Sequence, residues 1–135
     1  MLRVVPDVNV LTSAFISPNG VCRKIVEAAD REEIRFVASP ALIAEADIVL
    51  HRKHFRKYFT FEQADQVIVD LRRTSEMHYP DDDFVPITRD VKDDYLVHLA
   101  WAAKPDYLIT GDHDLHGIDG VTVISPGDFV RTVLR

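Results

Sequence analysis

The sequence predicts an α/β fold in which helices cover both faces of a parallel β-sheet. Short apolar runs with the length of β-strands alternate along the chain with longer segments whose apolar residues recur at helical spacing. This alternation implies right-handed crossovers between parallel strands. No internal repeat, low-complexity tract or linker interrupts the 135 residues, so we expect a single domain over residues 1–135.

Five short apolar runs predict the strands. The first run ends at Pro6 and Asp7, and the fourth leads through Thr110 and Gly111 to Asp112. The functional cleft of a parallel sheet lies beyond the carboxyl ends of its strands, so we expect Asp7 and Asp112 at that edge. The predicted strands are residues 2–5, 34–38, 76–79, 106–109 and 121–124.

Capping residues predict where several helices begin and end. Ser39 followed by Pro40 suits an N-cap and a first helical position, and Thr60 with Gln63 has the form of a capping box. Pro105 ends another helix, because the residue before a proline disfavours helical backbone. The predicted helices are residues 10–16, 21–31, 40–52, 61–71, 93–103 and 126–134.

Composition narrows the class of protein. No apolar run approaches the roughly 20 residues of a membrane span, and the N-terminus enters a strand pattern at once, unlike a signal peptide. Cys22 is the single cysteine, which excludes an intramolecular disulfide and a zinc site built from cysteines. The simplest interpretation is a cytoplasmic protein that does not associate with membranes.

The charge distribution leaves nucleic-acid binding open. A net charge of −6 and a pI of about 5.4 argue against a general nucleic-acid binder, which is usually basic. Segment 51–58 is nevertheless rich in basic residues and predicts an RNA-binding patch, with a solvated helix end as the alternative interpretation. The candidate RNA-binding residues are Arg52, Lys53, Arg56 and Lys57.

Four well-separated carboxylates are the most informative feature of the chain. Each follows or occupies a hydrophobic element that we expect to be buried, and none has an obvious Lys or Arg partner beside it. Carboxylates gathered in a cleft repel each other, and a bound divalent cation removes that repulsion. The candidate catalytic and metal-binding residues are Asp7, Glu45, Asp94 and Asp112.

Each of these acids also has a simpler structural interpretation. Asp7 could be a helix N-cap, with Asn9 either contributing to the site or forming a plain turn. Glu45 lies on the predicted apolar stripe of its helix, and the alternative is a boundary position from which its carboxylate reaches water. Where two acids open a later helix, we favour Asp94 as the metal ligand and Asp93 as the cap.

The segment after the fourth predicted strand contains further candidates. Gly111 permits an unusual backbone angle there, and Asp114 is expected to cap the short helix that follows. His113 and His116 could suggest zinc, but no third ligand stands at a suitable spacing, and surface histidines explain them better. We include Thr110 as an auxiliary polar residue of the site.

A site built from carboxylates selects hard cations such as Mg²⁺ or Mn²⁺. Two such ions about 4 Å apart would activate a water molecule and stabilise the leaving oxygen in phosphodiester cleavage. Neither a Ser-His-Asp or Cys-His arrangement nor a glycine-rich phosphate loop is apparent. The residues therefore predict a metal-dependent hydrolase.

Four motifs together resemble the PIN domain family. They stand in the order and at the spacing of that family over nearly the whole chain, and their combination is specific although each motif alone is weak. The resemblance is strongest to the toxin components of toxin–antitoxin systems, similar to VapC toxins. The motifs occupy residues 4–10, 39–45, 90–96 and 107–115.

This resemblance implies a three-layer α/β/α sandwich with a parallel sheet of about five strands. It also implies a Mg²⁺- or Mn²⁺-dependent ribonuclease that forms a homodimer and is silenced by a small antitoxin protein. The acidic quartet of the family corresponds to the four candidate acids above. Asp114 corresponds to an auxiliary acid and Asn9 to the polar residue after the first aspartate. Two departures, Val8 in place of a hydroxyl residue and Pro6 in place of an aliphatic one, affect efficiency rather than reaction type.

Two other classes of function fit parts of the sequence. A phosphoacceptor or phosphatase domain would share the fold class, but Asn9 cannot serve as its second acid and no suitable late lysine follows a strand. A non-catalytic RNA- or protein-binding module with the PIN fold would use the basic segment 51–58 instead of the acids.

Overall fold

The computed structural model describes residues 1–80 and 94–134, and that part of the chain forms a five-stranded sheet. The strands are β1 (Leu2–Pro6), β2 (Ile34–Ala38), β3 (Glu76–Met77), β4 (Tyr107–Ile109) and β5 (Val123–Ile124). The α-helices are α1 (Val8–Ile16), α2 (Val21–Asp30), α3 (Pro40–Leu50), α4 (Phe61–Thr74), α5 (Asp94–Ala103) and α6 (Pro126–Thr132). Short 3₁₀ helices cover Lys53–Lys57 and His113–Leu115.

The strands lie in the order β3-β2-β1-β4-β5, and every neighbouring pair runs parallel. Helix α2 packs against α1 and α6, and α3 packs against α1, α4 and α5. The predicted α/β/α sandwich with a parallel five-stranded sheet is confirmed. Because β2 and β4 lie on opposite sides of β1, the direction of the chain connections changes between β1 and β4, and such a switch point opens a cleft.

The capping residues act where the sequence predicts. The Ser39 hydroxyl accepts the backbone N–H of Leu42 at 3.2 Å, with Pro40 in the first turn. Thr60 and Gln63 form the predicted capping box, with 3.1 Å from Gln63 N to Thr60 Oγ1 and 2.8 Å from Thr60 N to Gln63 Oε1. These hydrogen bonds satisfy backbone donors at the starts of α3 and α4, and they fix where each helix begins.

Some element boundaries differ from the prediction. Helix α1 begins at Val8, two residues early, because Asp7 caps it. Strand β4 begins one residue late, at Tyr107, and the Asp106 side chain before it accepts the backbone N–H of Arg3 at 2.8 Å. Strand β5 is shorter than predicted. The predicted helix start at Asp93 lies outside the described residues.

The two central strands form the middle of the core. Val4, Val5, Leu108 and Ile109 are at most 1% exposed, which fixes the backbone of β1 and β4 up to their carboxyl ends. Burial of such side chains is the main favourable contribution to folding. Among the described residues, no helix has the length and apolar character to cross a membrane.

An ion pair joins β1 to the edge strand β3. The Arg3 Nε atom lies 3.1 Å from each carboxylate oxygen of Glu76, and the guanidinium also donates to the carbonyls of Ala103 at 2.9 Å and Lys104 at 3.2 Å. The hydrogen bonds from Arg3 and then from His78 lower the pKa of Glu76 to about 2. The Arg3 side chain therefore holds strand β3 and the end of α5 against β1.

Replacing Glu76 by Gln is expected to lower the free energy of unfolding at pH 7 by about 1–2 kcal/mol, after allowance for solvent screening. A depressed carboxylate pKa stabilises the fold above the unfolded pKa of about 4.3, and this contribution is lost as the pH falls toward the folded value. Denaturant unfolding from pH 7 to pH 2.5 should thus show the difference shrinking below about pH 4.5. A difference that stays constant over this range would contradict the assignment.

The exposed pair of Glu33 with Arg31, at 2.9 Å, offers a matched control. Glu33→Gln removes the same charge from a pair on the surface, where ion pairs contribute little. Its effect on the free energy of unfolding should therefore be clearly smaller than that of Glu76→Gln. Equal effects would show that the ion pair between Glu76 on β3 and Arg3 on β1 confers no special stability.

Candidate functional site

Two buried polar residues lie side by side at the carboxyl ends of β1 and β4. The backbone N–H of Asp7 donates to the carbonyl of Ile109 at 2.9 Å, so Asp7 stands directly where the strand pair ends. Thr110 follows Ile109 on the neighbouring strand. Asp7 is 7% exposed and Thr110 is fully buried. The pair therefore marks the floor of the cleft expected at this switch point.

The Thr110 hydroxyl joins two of the predicted acidic residues. It donates to Oδ2 of Asp7 at 2.6 Å and accepts the backbone N–H of Asp112 at 3.1 Å. A buried β-branched side chain with two hydrogen bonds has little freedom of rotation. Thr110 therefore fixes the Asp7 carboxylate relative to the β4 turn. This orienting role is larger than that of an auxiliary residue. The sequence signal for the role is the position of Thr110 directly after the strand that ends at the β1/β4 edge.

Asp7 combines a structural role with an available carboxylate. It is the N-cap of α1, and its Oδ1 accepts the backbone N–H of Asn9 at 3.2 Å. The helix-cap interpretation is thus correct, but each carboxylate oxygen keeps further acceptor capacity. The Asn9 side chain is exposed, and this residue contributes to the cap through its backbone.

Asp112, rather than Asp114, caps the short helix that follows β4. Oδ1 of Asp112 accepts the backbone N–H of Asp114 at 2.9 Å, and this cap starts the 3₁₀ helix His113–Leu115. The predicted cap at Asp114 was therefore wrong by two residues. An Asp side chain readily bonds the backbone two residues on. The unusual backbone angle expected at Gly111 is not found, because its φ is not positive and a Cβ there would meet nothing within 4 Å. Asp112 is half-buried and Asp114 is exposed.

Asp94 is the most deeply buried acid among the described residues. It is the first residue of α5, and none of its surface is exposed. The N-terminus of a helix favours negative charge, but a fully buried carboxylate still requires partners that offset its desolvation. The predicted cap Asp93 lies outside the described residues.

Glu45 lies at the boundary between the buried and exposed faces of α3. The predicted apolar stripe is only partly correct, because Leu42 and Val49 are buried whereas Ala41 is exposed and Ile48 is 62% exposed. Glu45 itself is half-buried. The helix is apolar around most of its circumference, so its spacing alone could not locate the solvent-facing side.

Three of the predicted acids have no neutralising side chain within the described part of the chain. Asp7, Glu45 and Asp112 form no ion pair with any residue in the ranges 1–80 and 94–134. No three of the predicted ligands bring their oxygen atoms within 4.8 Å of one another in these ranges. The carboxylates thus supply the oxygen donors that a hard divalent cation prefers. Their oxygen atoms are, however, farther apart than the ligands of a closed metal site.

A different group, which the sequence analysis missed, has three potential ligand atoms within 4.8 Å: Asp47, His51 and Asp65. His51 Nδ1 lies 2.7 Å from the Asp47 carbonyl, and Nε2 lies 2.6 Å from the Asp65 carboxylate. These contacts raise the pKa of His51, and they join α3 to α4. The spacing of four residues between Asp47 and His51 on one helix was the available signal. Both aspartates are exposed, so ordinary ion pairing explains the group.

The basic segment divides into one inward residue and several exposed ones. The Arg56 guanidinium lies over the ring of Phe61, 4.1 Å from its centroid, and over that of Phe59 at 5.2 Å. It also donates to the carbonyl of Leu50, at the end of α3. Arg56 therefore packs the 3₁₀ helix Lys53–Lys57 against its surroundings, which does not suit the predicted contact with RNA.

Comparisons with known proteins place the chain in a family. The sequence profile described as PIN domain matches residues 3–114. An uncharacterized protein of Methanocaldococcus jannaschii is 31% identical over 115 residues, which are 84% of this chain and 73% of that protein. A crystal structure of VapBC2 from Rickettsia felis bound to a DNA fragment from their promoter is 14% identical with a TM-score of 0.60, covering 92% of this chain and 98% of that chain. At that identity, the structural likeness supports the fold alone.

Proposed function

This chain belongs to the PIN domain family, and from that premise we propose that it is a metal-dependent endoribonuclease that hydrolyses RNA phosphodiester bonds. The observation that carries the proposal is the hydrogen-bonded group of Asp7, Thr110 and Asp112 at the β1/β4 switch point. Its position agrees with the cleft that α/β sheets use for ligands. Buried Asp94 and half-buried Glu45 supply the further carboxylates of the proposed site.

The donor set fits Mg²⁺ or Mn²⁺, since both cations prefer carboxylate oxygens. Asp7, Glu45, Asp94 and Asp112 would hold the ion, and exposed Asp114 would lie at the rim. A bound divalent cation supplies Lewis acidity, which lowers the pKa of water and stabilises the leaving oxygen of a phosphodiester. The part of Thr110 is to hold Asp7 in one orientation, so that its carboxylate is placed before the cation arrives.

We further propose that the protein is the toxin of a toxin–antitoxin pair that acts on RNA in the cytoplasm. The support is the VapC-like motif pattern together with the structural likeness to the VapBC2 complex of Rickettsia felis. On this proposal a small antitoxin protein is the partner, and the active form is a homodimer.

Metal removal tests the proposed activity. Purified protein treated with excess EDTA is expected to cleave a mixed single-stranded RNA at least about 100-fold more slowly. Addition of Mg²⁺ or Mn²⁺ beyond the chelator should restore the rate, because all the proposed ligands are hard oxygen donors. Gel analysis of end-labelled RNA measures both rates, and circular dichroism of the treated protein checks that the fold persists.

Cleavage that continues unchanged in EDTA would contradict the metal-dependent mechanism. RNA binding without cleavage in either metal would favour the second interpretation, a non-catalytic RNA-binding module. The wide spacing of the predicted ligands is the observation that favours this alternative.

A further inference from the structure

Four basic side chains line one open depression at the end of α3 that is distinct from the acidic site. Its volume is about 740 Å³, and the residues around it, here called the basic patch, are Arg52, Lys53, His54 and Lys57. All four are exposed, and none forms an ion pair in the described part of the chain. Five arginines elsewhere do pair with acids, namely Arg3, Arg23, Arg31, Arg73 and Arg131. In a chain with a net charge of −6, the basic patch is therefore a local positive surface.

The backbone under the basic patch is held in place. Arg56 packs inward over Phe59 and Phe61, and buried Phe55 stacks on Phe59 with 5.7 Å between ring centroids. His51, at the end of α3, is stacked on Phe61 with 5.9 Å between ring centroids. Because the inward side chains fix this turn, the exposed cations stand on a backbone that is in place before a ligand binds.

An exposed aromatic ring beside the basic patch favours a nucleic-acid ligand. Tyr58 directly follows the 3₁₀ helix and is 47% exposed, with Lys57 Nζ 5.2 Å from its ring centroid. Proteins that bind single strands combine a positive groove for the backbone with aromatic rings on which bases stack. An acidic peptide would use the positive charge but would have no need of the ring.

The basic patch follows the C-terminal end of α3, whereas Glu45 lies in the middle of that helix. Helix α3 begins at the carboxyl edge of the sheet, directly after β2, and its last residue Leu50 follows Glu45 by five residues, about 7–8 Å along the helix axis. A strand that reaches the basic patch must therefore extend beyond the linkage held by the acids. Between the two positions, exposed Ile48 lies one turn after Glu45 on the same side of the helix.

We propose that the basic patch binds the phosphate backbone of single-stranded RNA, with Tyr58 as a stacking surface for a base. The inference rests on the proposed ribonuclease function, and it specifies the substrate class as single strands that extend beyond the cleaved bond toward the end of α3. Contacts with phosphates carry no sequence information, so this site contributes affinity and not base specificity.

The test measures binding of a fluorescent 12-nucleotide single-stranded RNA by anisotropy, in EDTA so that no cleavage occurs. The triple variant Arg52→Gln, Lys53→Gln, Lys57→Gln should raise Kd about tenfold or more and reduce the slope of log K against log salt by about 2. Tyr58→Ala should raise Kd about fivefold or more, and Tyr58→Phe should restore it, because only the ring is needed.

A charge-matched control carries Lys24→Gln, Arg35→Gln and Arg72→Gln, at exposed cations outside the basic patch. It removes the same three charges and should change Kd by less than about twofold. An equal loss in both triple variants would overturn the proposal in favour of overall charge. It would also be overturned by unchanged binding in the basic-patch variant, or by a poly-glutamate peptide of matched charge that binds as tightly as the RNA.

These outcomes are separable from failure of the proposed ribonuclease function. Active cleavage together with unchanged RNA binding by the basic-patch variant would overturn the patch alone. Conversely, weaker RNA binding by that variant, in a protein that never cleaves RNA with Mg²⁺ or Mn²⁺, would keep the patch and remove the enzyme. All substituted side chains are exposed, and thermal melting monitored by circular dichroism verifies that each variant folds.

Discussion

Replacing Asp7 by Asn is expected to slow RNA cleavage at least about 100-fold while leaving the protein folded. The change removes the negative charge that a hard divalent cation requires. Asparagine is as good an N-cap as aspartate. Its carbonyl oxygen can still accept the backbone N–H of Asn9, which lies 3.2 Å from Oδ1 of Asp7 in the wild-type protein. The asparagine amide nitrogen would, however, face the Thr110 hydroxyl in place of Oδ2 and could not accept that hydrogen bond, so the free energy of unfolding should fall by about 1–3 kcal/mol while the protein still folds. Single-turnover cleavage and denaturant unfolding measure the two effects separately.

A matched control for this variant is Asp30→Asn. Asp30 is an exposed acid at the end of α2, so its replacement removes the same charge away from the sheet edge. We expect it to retain full cleavage activity. If Asp7→Asn also retained activity, Asp7 would have to be removed from the proposed site. If Asp7→Asn did not fold, its loss of activity would report the structural role of Asp7 and not a metal-binding one.

The second large effect is expected at Thr110. Replacement by Val keeps the buried shape but removes the hydroxyl that donates to Asp7 Oδ2 at 2.6 Å and accepts from the Asp112 backbone at 3.1 Å. Groups left unsatisfied in a buried position cost about 1–3 kcal/mol, and loss of a residue that orients a metal ligand typically costs about 10–100-fold in activity. We therefore expect Thr110→Val to lower both the free energy of unfolding and kcat. Denaturant unfolding and steady-state cleavage measure the two quantities.

Thr110→Ser distinguishes the hydroxyl from the packing. Serine keeps both hydrogen bonds and loses only a methyl group, so kcat should return to within about threefold of the wild type. The KM for a long RNA should change little in both variants, since the basic patch lies elsewhere. A Val variant with normal kcat, or a Ser variant as inactive as Val, would contradict the orienting role of Thr110.

Most of the fold could be predicted because its signals are local. The capping box of Thr60 and Gln63 and the Ser39-Pro40 pair each place a helix start without reference to the rest of the chain. The alternation of strands and helices then requires parallel pairing, which brings the residues after β1 and β4 to one edge. Asp7 and Asp112 could therefore be assigned to a common cleft before any coordinates existed.

The remaining errors concern which neighbour a side chain meets. In α3 the spacing of apolar residues correctly identified Leu42 and Val49 as buried. It could not show that Ile48 faces solvent, because the exposure of Ile48 depends on how far the neighbouring helices extend over α3. The sequence groups Arg56 with the other basic residues, although its planar guanidinium lies over the rings of Phe59 and Phe61. Contacts between separate elements carry little signature in the sequence.

The cap at Asp112 illustrates a second kind of error. Both Asp112 and Asp114 are suitable cap residues, and composition does not choose between them. The choice follows from the Thr110 hydroxyl, which binds the backbone of Asp112 and so fixes where the turn begins. Whether a side chain at a strand end bonds the turn that follows depends on the positions of both in three dimensions, and the sequence does not show these positions.

The central claim, that four separate acids hold one divalent-cation site, is tested most directly by the crystal structure of the protein soaked with Mn²⁺. Anomalous scattering locates manganese independently of the protein atoms. The account predicts an anomalous peak bounded by Asp7, Glu45, Asp94 and Asp112. A peak at Asp47, His51 and Asp65 instead, with none among the four acids, would contradict it.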